Sequence, residues 1–330
     1  MYKSMYKSMY KIIYCSIYLY CSIYMIVKKE KKGGIWQYYV DKNISDDKML
    51  KLQNTYVKHS QIDFIIDFDV DVYTTDGVLL LKFRKQKLNQ KNIDDFYDSV
   101  IDFAKHTSTN RGSTSGSKKK NVRDNPKIMT NIFGYFDRFS PSQKAIMTRT
   151  GVKNLLQVRE TRFNVDYPDN YKKTIPLIQE IDKFYEKMTP QQYKKQRKKA
   201  DQTPFKIAGT SFTTVTTNVN FRTSIHKDKG DDEEGFGNLT VIEKGKYEGA
   251  ETSFPQYGIA VNARMGDVLF MNVHEWHGNL PMKKIDNDAI RLSIVCYLRY
   301  KIWERTKNKT KKFMISHNKT VKNLRNKEEK

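Results

Sequence analysis

Apolar and polar positions change their period along the chain. From Ile62 to Val72 apolar residues alternate with acidic ones, Asp76-Gly77 makes a turn, and Val78–Phe83 is again apolar-rich. That pattern predicts a β-hairpin. Ile93, Phe96, Val100, Ile101 and Ala104 recur at helical spacing and predict a helix over Ile93–Ala104. Ile175, Ile178, Ile181, Phe184 and Tyr185 share one face of a second helix over Thr174–Met188. Pro190–Lys199 continues as a third, with a basic run at Lys194–Lys199. From Phe205 onward the runs shorten. Phe205–Ala208, Ser211–Phe221, Asn238–Glu243, Gly258–Asn262, Asp267–Val273 and Arg291–Tyr300 are β-rich, and Gly, Pro, Asn and Asp separate them. Many short strands with such punctuation predict a sandwich or barrel. Helices followed by a β-sandwich make the fold class α+β.

Three segments stand apart from these elements. His106–Lys127 is rich in Ser, Thr, Gly, Asn and Lys and reads as a mobile tether. Residues 1–11 repeat Met-Tyr-Lys-Ser, Tyr14–Met25 repeats Tyr-Cys-Ser-Ile-Tyr, and Ile12–Val27 carries no charge. That stretch is short for a membrane span and lacks a small-residue cleavage site, so it reads as low-complexity sequence, with Met25 a candidate start. The tail after Trp303 is basic and polar and is expected to be disordered. The expected division is a low-complexity segment over 1–34 and a helical support region over 35–204. The β-rich core follows over 205–305 and the tail over 306–330.

Charge sharpens the picture. Lys plus Arg number 60 against 37 Asp plus Glu, a formal net charge of +23. The basic residues cluster, which favours a polyanionic partner, and nucleic acid is the commonest. A mean hydropathy of −0.73 excludes a membrane-embedded protein. Cys15, Cys21 and Cys296 form no C-x-x-C pair and no secreted framework, so a reducing, intracellular compartment is expected.

The chemistry concentrates in the β-rich half. In a strand, residues two apart face the same way, so His226 and Asp228 point to one side. An imidazole and a carboxylate on one face are two legs of a non-haem iron site, whose third leg is a His on a neighbouring strand. The candidates are His274 and His277, into which a glycine-led strand runs. The sharp turn at Gly278-Asn279 and Pro281 favours His277 and leaves His274 a supporting or structural role. Such a triad leaves iron positions open for a bidentate keto acid and O2. The distal carboxylate of the keto acid needs a fixed cation. Arg291 opens a period-two strand in which Arg291, Ser293, Val295, Tyr297 and Arg299 share one face, and Leu292, Ile294, Cys296 and Leu298 the other. A guanidinium grips a carboxylate with two parallel hydrogen bonds, and the Ser293 hydroxyl adds another.

Over roughly residues 36–305 the chain resembles the TET/J-binding-protein group of Fe(II)- and 2-oxoglutarate-dependent nucleic-acid-modifying dioxygenases, which has viral and phage members. The resemblance is tightest in TSFTTVTTNVNFRTSIHKDKGD, EEGFGNLTVIE, GDVLFMNVHEWHGN and RLSIVCYLR, with DVDVYTTDGVLLLKFRKQKL, TSTNRG and IFGYFDR upstream. It implies a double-stranded β-helix (jelly-roll) core with flanking helices. It implies that His226, Asp228 and His277 hold Fe(II), that Arg291 anchors 2-oxoglutarate, and that Ser293 assists. In the DNA-demethylating branch the strand carrying the Arg also touches the flipped base. The matching positions are Tyr297, suited to stacking, and Arg299, which stands where that branch has a His. That branch also has an Asn after its His-x-Asp, where this chain reads Gly230-Asp231-Asp232.

The implied reaction is hydroxylation of the 5-methyl group of thymine or 5-methylcytosine in DNA. The base must be flipped out or single-stranded to reach the iron. The partner is then nucleic acid, DNA foremost, met in the nucleus or cytoplasm, without stable membrane association. Lys194–Lys199, Lys118–Lys120 and the tail are candidates for phosphate contact. The same chemistry on RNA, a protein side chain or a small molecule, and a non-catalytic nucleic-acid-binding module, are the competing readings.

Overall fold

The computed structural model describes residues 26–138, 147–149, 151 and 157–326. The repeats of residues 1–25, with Cys15 and Cys21, lie outside the described residues. The chain begins with β1 (Ile26–Lys32), β2 (Ile35–Val40), β3 (Phe64–Ile66), β4 (Val70–Thr74) and β5 (Leu79–Arg84). The helix Gln90–Ala104 leads to β6 (Thr130–Arg138) and β7 (Gln157–Glu160). Helices Arg162–Asp166, Pro168–Met188 and Pro190–Ala200 come next. Then follow β8 (Thr214–Val219), β9 (Gly237–Lys244), β10 (Tyr247–Gly249), β11 (Thr252–Phe254) and β12 (Ile259–Val261). The last strands are β13 (Val268–Met271), β14 (Gly278–Asn279), β15 (Met282–Lys284) and β16 (Ile290–Tyr297), and helices Tyr300–Thr306 and Lys311–Asn326 end the described chain.

Ten strands form one sheet in the order β1-β2-β4-β5-β13-β9-β16-β8-β6-β7, and four form a second, β14-β11-β12-β3. Strand alternation distributes the core between two layers. On β13, Val268 and Phe270 pack toward the helices with Phe96, Ile181 and Tyr185. Their neighbours Leu269 and Met271 pack between the sheets with Phe254, Tyr257 and Val261. The Tyr185 ring stacks on Phe212 and Phe270, with centroids 6.0 and 5.2 Å apart. Truncating Phe270 to Ala would therefore cost about 3–5 kcal/mol. Two facing sheets with helices against the outer face of the larger one are the expected α+β jelly roll.

The turn and second arm of the predicted hairpin are present as β4–β5, antiparallel, with Gly77 at φ +85° in the turn, but the first arm, expected over Ile62–Val72, is divided between β3 in the second sheet and β4. The first predicted helix is capped by the Asn89 side chain, which accepts from the Lys91 and Asn92 amides. The second begins earlier than its apolar periodicity, at Pro168, and carries Pro176 inside it.

Several expectations need correction. Phe205–Ala208 is not a strand; the Ile207 amide donates to the Phe212 carbonyl at 2.8 Å and closes a turn. No boundary separates a support region from the core near residue 205, because β5 pairs with β13 and β6 with β8. Residues 106–127 are not a free tether. Ser115 is buried, its carbonyl accepts from the Tyr56 hydroxyl at 2.8 Å, and the Ser224 amide donates to the Thr114 carbonyl at 2.7 Å. In the tail, Lys311–Asn326 form a helix that buries Met314 and donates from Asn318 Nδ2 to the Val158 carbonyl at 2.9 Å. Among the described residues no helix is long and apolar enough to cross a membrane.

Candidate active site

The triad assembles through backbone pairing. His226 lies ahead of β9 and His277 just before β14, and they exchange both hydrogen bonds: His226 N–H to the His277 carbonyl at 2.9 Å, and the reverse at 3.0 Å. The Asp228 amide donates to the Val273 carbonyl at 3.0 Å, so the same ribbon carries all three residues. Gly278 permits this closeness: a Cβ there would stand 3.2 Å from the Ser224 backbone.

The side chains converge. His226 Nε2 lies 3.5 Å from Asp228 Oδ1 and His277 Nε2 3.9 Å from Asp228 Oδ2. One ligand atom from each residue fits within 4.8 Å of the other two. Each imidazole is oriented from behind. His226 Nδ1 meets the Ser224 carbonyl at 2.7 Å and His277 Nδ1 the Glu275 carbonyl at 2.9 Å. A carbonyl only accepts, so each Nδ1 carries the proton and each Nε2 presents a lone pair to the centre. Burial, together with the neighbouring His226, pulls the His277 pKa down to about 4. Burial alone would raise the Asp228 carboxyl, but the adjoining His226 and His277 outweigh it and hold it at about 2. The set is two imidazoles and a carboxylate, the donor chemistry of a divalent iron site.

His274 is not part of this cluster. Its Nδ1 faces the Asp228 carbonyl at 3.0 Å and its Nε2 the Asp232 carbonyl at 3.3 Å. The ring therefore braces both ends of the loop from Asp228 to Asp232.

Arg291 and Ser293 stand on the cavity face of β16, while Leu292, Ile294 and Cys296 pack under the helices. The cavity, about 240 Å³, is lined by His226, Asp228, His277, Arg291, Ser293 and Tyr297, among others. Arg291 is only 3% exposed, and among the described residues no carboxylate comes within 4 Å of its guanidinium. The nearest acid, Glu243, is already paired with Arg264 at 3.0 Å. Burial pulls the Arg291 pKa down, partly offset by the Tyr247 phenol. An almost unpaired buried cation beside a metal-type triad fits an anionic ligand of that metal. Ser293 Oγ accepts from Asn218 Nδ2 at 3.2 Å.

Tyr297 and Arg299 also line the cavity, but neither is loose. The Tyr297 hydroxyl accepts from Thr216 Oγ1 at 3.3 Å. Arg299 Nε donates to Asp137 Oδ1, and its guanidinium lies 5.3 Å from the Phe136 ring centre. The acidic run has a defined partner as well. Asp232 and Glu234 pair with Lys199, the latter at 2.7 Å, and Glu234 with Lys195 at 3.5 Å. Part of the Lys194–Lys199 run is thereby neutralised and less available to phosphate.

Sequence reasoning missed Arg111, Thr216 and Asn218 in the cavity wall. Thr216 and Asn218 were readable, since Val215 and Val219 of β8 take the core side and the polar residues alternate with them. Arg111 sits in the TSTNRG motif but was read with a tether.

Residues 149–300 match the Tet_JBP family model, described as the oxygenase domain of the 2OGFeDO superfamily. This stretch is similar to the TET/JBP oxygenase family over slightly less than half of the chain. This family's superfamily uses Fe(II) and 2-oxoglutarate, and the donor set and buried guanidinium fit both. The chain is 34% identical over 171 residues to the bifunctional helicase and thymine dioxygenase JBP2 of Leishmania braziliensis, covering 52% of this chain and 14% of that protein. It is 31% identical over 176 residues to the thymine dioxygenase JBP1 of Trypanosoma brucei brucei, covering 52% of this chain and 19% of that protein. The chain thus spans less than a fifth of these curated relatives. Among solved structures, NgTET1 in complex with 5mC DNA aligns with 84% of this chain and 100% of its own, at 12% identity and a TM-score of 0.49.

Proposed function

We propose that this chain is an Fe(II)- and 2-oxoglutarate-dependent dioxygenase. It hydroxylates the 5-methyl group of a pyrimidine base, thymine or 5-methylcytosine, in DNA and converts 2-oxoglutarate to succinate. The observation that carries the reading is the buried, carboxylate-free Arg291 sharing one small cavity with His226, Asp228 and His277. The thymine dioxygenases among its relatives support the choice of substrate and make thymine the first base to test.

The assigned roles follow from what each group offers. His226 and His277 hold the metal through Nε2, with Nδ1 protons fixed on backbone carbonyls. Asp228 supplies the anionic ligand. Arg291 grips the distal carboxylate of 2-oxoglutarate through its fork, and Ser293 adds a hydroxyl. Bound Fe(II) and 2-oxoglutarate supply O2 activation and the oxidation of an unactivated C–H bond. Leu239, Met271 and Val295 give the cavity apolar wall that limits water. Tyr297 and Arg299 meet the base, Tyr297 by its ring and Arg299 by guanidinium hydrogens not engaged by Asp137. A cavity of about 240 Å³ has no room for a duplex, so the base enters flipped or from a single strand. The residues that line the cavity come from Arg111 to Arg299, a span we take as part of one oxygenase unit working inside the cell.

The test is nucleoside mass spectrometry after incubating the protein with Fe(II), 2-oxoglutarate, O2 and DNA containing thymine and 5-methylcytosine. The expected result is a hydroxymethyl pyrimidine with matching succinate. Unmodified DNA alongside an oxidised RNA, peptide or small molecule would overturn the substrate assignment.

A further inference from the structure

A second cleft, about 890 Å³, opens beside the metal cavity. Its walls are Phe103 at the end of the helix Gln90–Ala104, β6 from Thr130 to Phe136, and the end of β7 with the short helix Arg162–Asp166 that follows it. Arg111, Tyr297 and Arg299 line both spaces and form the partition between them. The partition is tied together: Arg111 Nη2 donates to Thr216 Oγ1 at 3.3 Å, Thr216 Oγ1 donates to the Tyr297 hydroxyl at 3.3 Å, and Arg299 pairs with Asp137 of β6.

We propose that this cleft holds the nucleotide next to the target base, so that the protein acts on a polynucleotide strand and not on a free nucleoside. The inference rests on the function proposed above. A base seated in the metal cavity leads its sugar and phosphate out past the partition, between the guanidiniums of Arg111 and Arg299. Guanidinium forks suit phosphate oxygens. Beyond them the cleft offers what a neighbouring base requires. Phe103 and Phe136 present aromatic surface, and Val165, 63% exposed, supplies an apolar lip. Aromatic platforms beside arginines are the usual means of holding a strand without reading its sequence. Two acids, Glu160 and Asp166, also line the cleft, and Asp166 is neutralised by Arg162 at 3.2 Å. An uncharged peptide or small molecule has no matching reason for arginines at the shared wall, and the chain's net charge of +23 favours a polyanion over a single carboxylate.

The experiment uses the full chain loaded with Fe(II) and 2-oxoglutarate, and oligothymidylates of one, three and five nucleotides. Binding is read by fluorescence anisotropy and turnover by mass spectrometry. The Kd and KM should fall about tenfold between one and three nucleotides, as one stacked base is added. Val165→Glu and Arg162→Glu alter exposed side chains, so both variants should fold. Each should weaken the three-nucleotide Kd several-fold, while Lys283→Glu, an exposed control outside the cleft, should not. A Kd independent of length, or cleft variants that behave like the Lys283 control, would overturn the inference. Length-dependent binding without oxidation of any pyrimidine methyl would uphold the cleft and refute the proposed reaction.

Discussion

Replacing Arg291 by Met should make the ligand-free protein more stable and its 2-oxoglutarate site useless. The guanidinium is 3% exposed and lacks a carboxylate partner within 4 Å among the described residues, so the fold carries a desolvated charge that Tyr247 and the more distant Glu243 offset only in part. Replacing a buried charge by an apolar side chain of similar length commonly gains about 1–4 kcal/mol. In a protein of this size each kcal/mol raises Tm by about 1–2 °C. The ligand effect has the opposite sign. Losing one partner of a buried, hydrogen-bonded charge pair costs about 2–5 kcal/mol, or roughly 30- to 5,000-fold in Kd. The assay is scanning calorimetry of both proteins with Mn(II) as a redox-silent metal, with and without 2-oxoglutarate. At a hundredfold excess over its Kd the ligand should stabilise the wild type by about 2.7 kcal/mol and the variant by less than about 1 kcal/mol. Mn(II) affinity should be nearly equal in the two. Arg291→Lys keeps the charge but not the fork, and should fall between them. A variant less stable than wild type without ligand, or one that keeps the full ligand shift, would refute the reasoning.

Three further outcomes follow from the same geometry. Asp228→Ala removes the only anionic ligand of the triad; metal affinity should drop on the order of a hundredfold or more and turnover should vanish, with the circular-dichroism melt preserved. His274→Ala frees the loop between Asp228 and Asp232 and should weaken metal binding about 10- to 100-fold by titration calorimetry, with partial recovery in His274→Asn. Arg299→Ala leaves Asp137, 7% exposed, without its cation and should cost about 3–5 kcal/mol in urea unfolding; adding Asp137→Asn should restore much of it.

The most legible features were those whose period survives in a short window. The two faces of β16 were readable because Arg, Ser and Tyr alternate strictly with Leu, Ile and Cys, and the His-x-Asp pair because it lies within one extended run. The hairpin of β4 and β5 was marked by its Asp-Gly turn. What escaped depends on contacts between distant segments. The pairing of β5 with β13 joins residues near 83 to residues near 269, so nothing local places the N-terminal strands in the same sheet as the site. The segment 106–127 has a linker's composition, and contacts with distant residues such as Tyr56, Thr216 and Ser224 hold it in place. The helix Lys311–Asn326 was hidden by its lysines, because a single buried Met314 is a faint signal of one docked face.

The alternation of β16 also sets how this strand tolerates change in length. Its inner face is chemistry and its outer face is core, so deleting one residue before Arg291 would turn the guanidinium toward Phe96 and Tyr185 and present Leu and Ile to the metal. Catalysis and folding would be lost in the same event. Substitutions along the strand can separate the two properties; insertions and deletions cannot, and lineages of this protein should vary in length everywhere before they do so here.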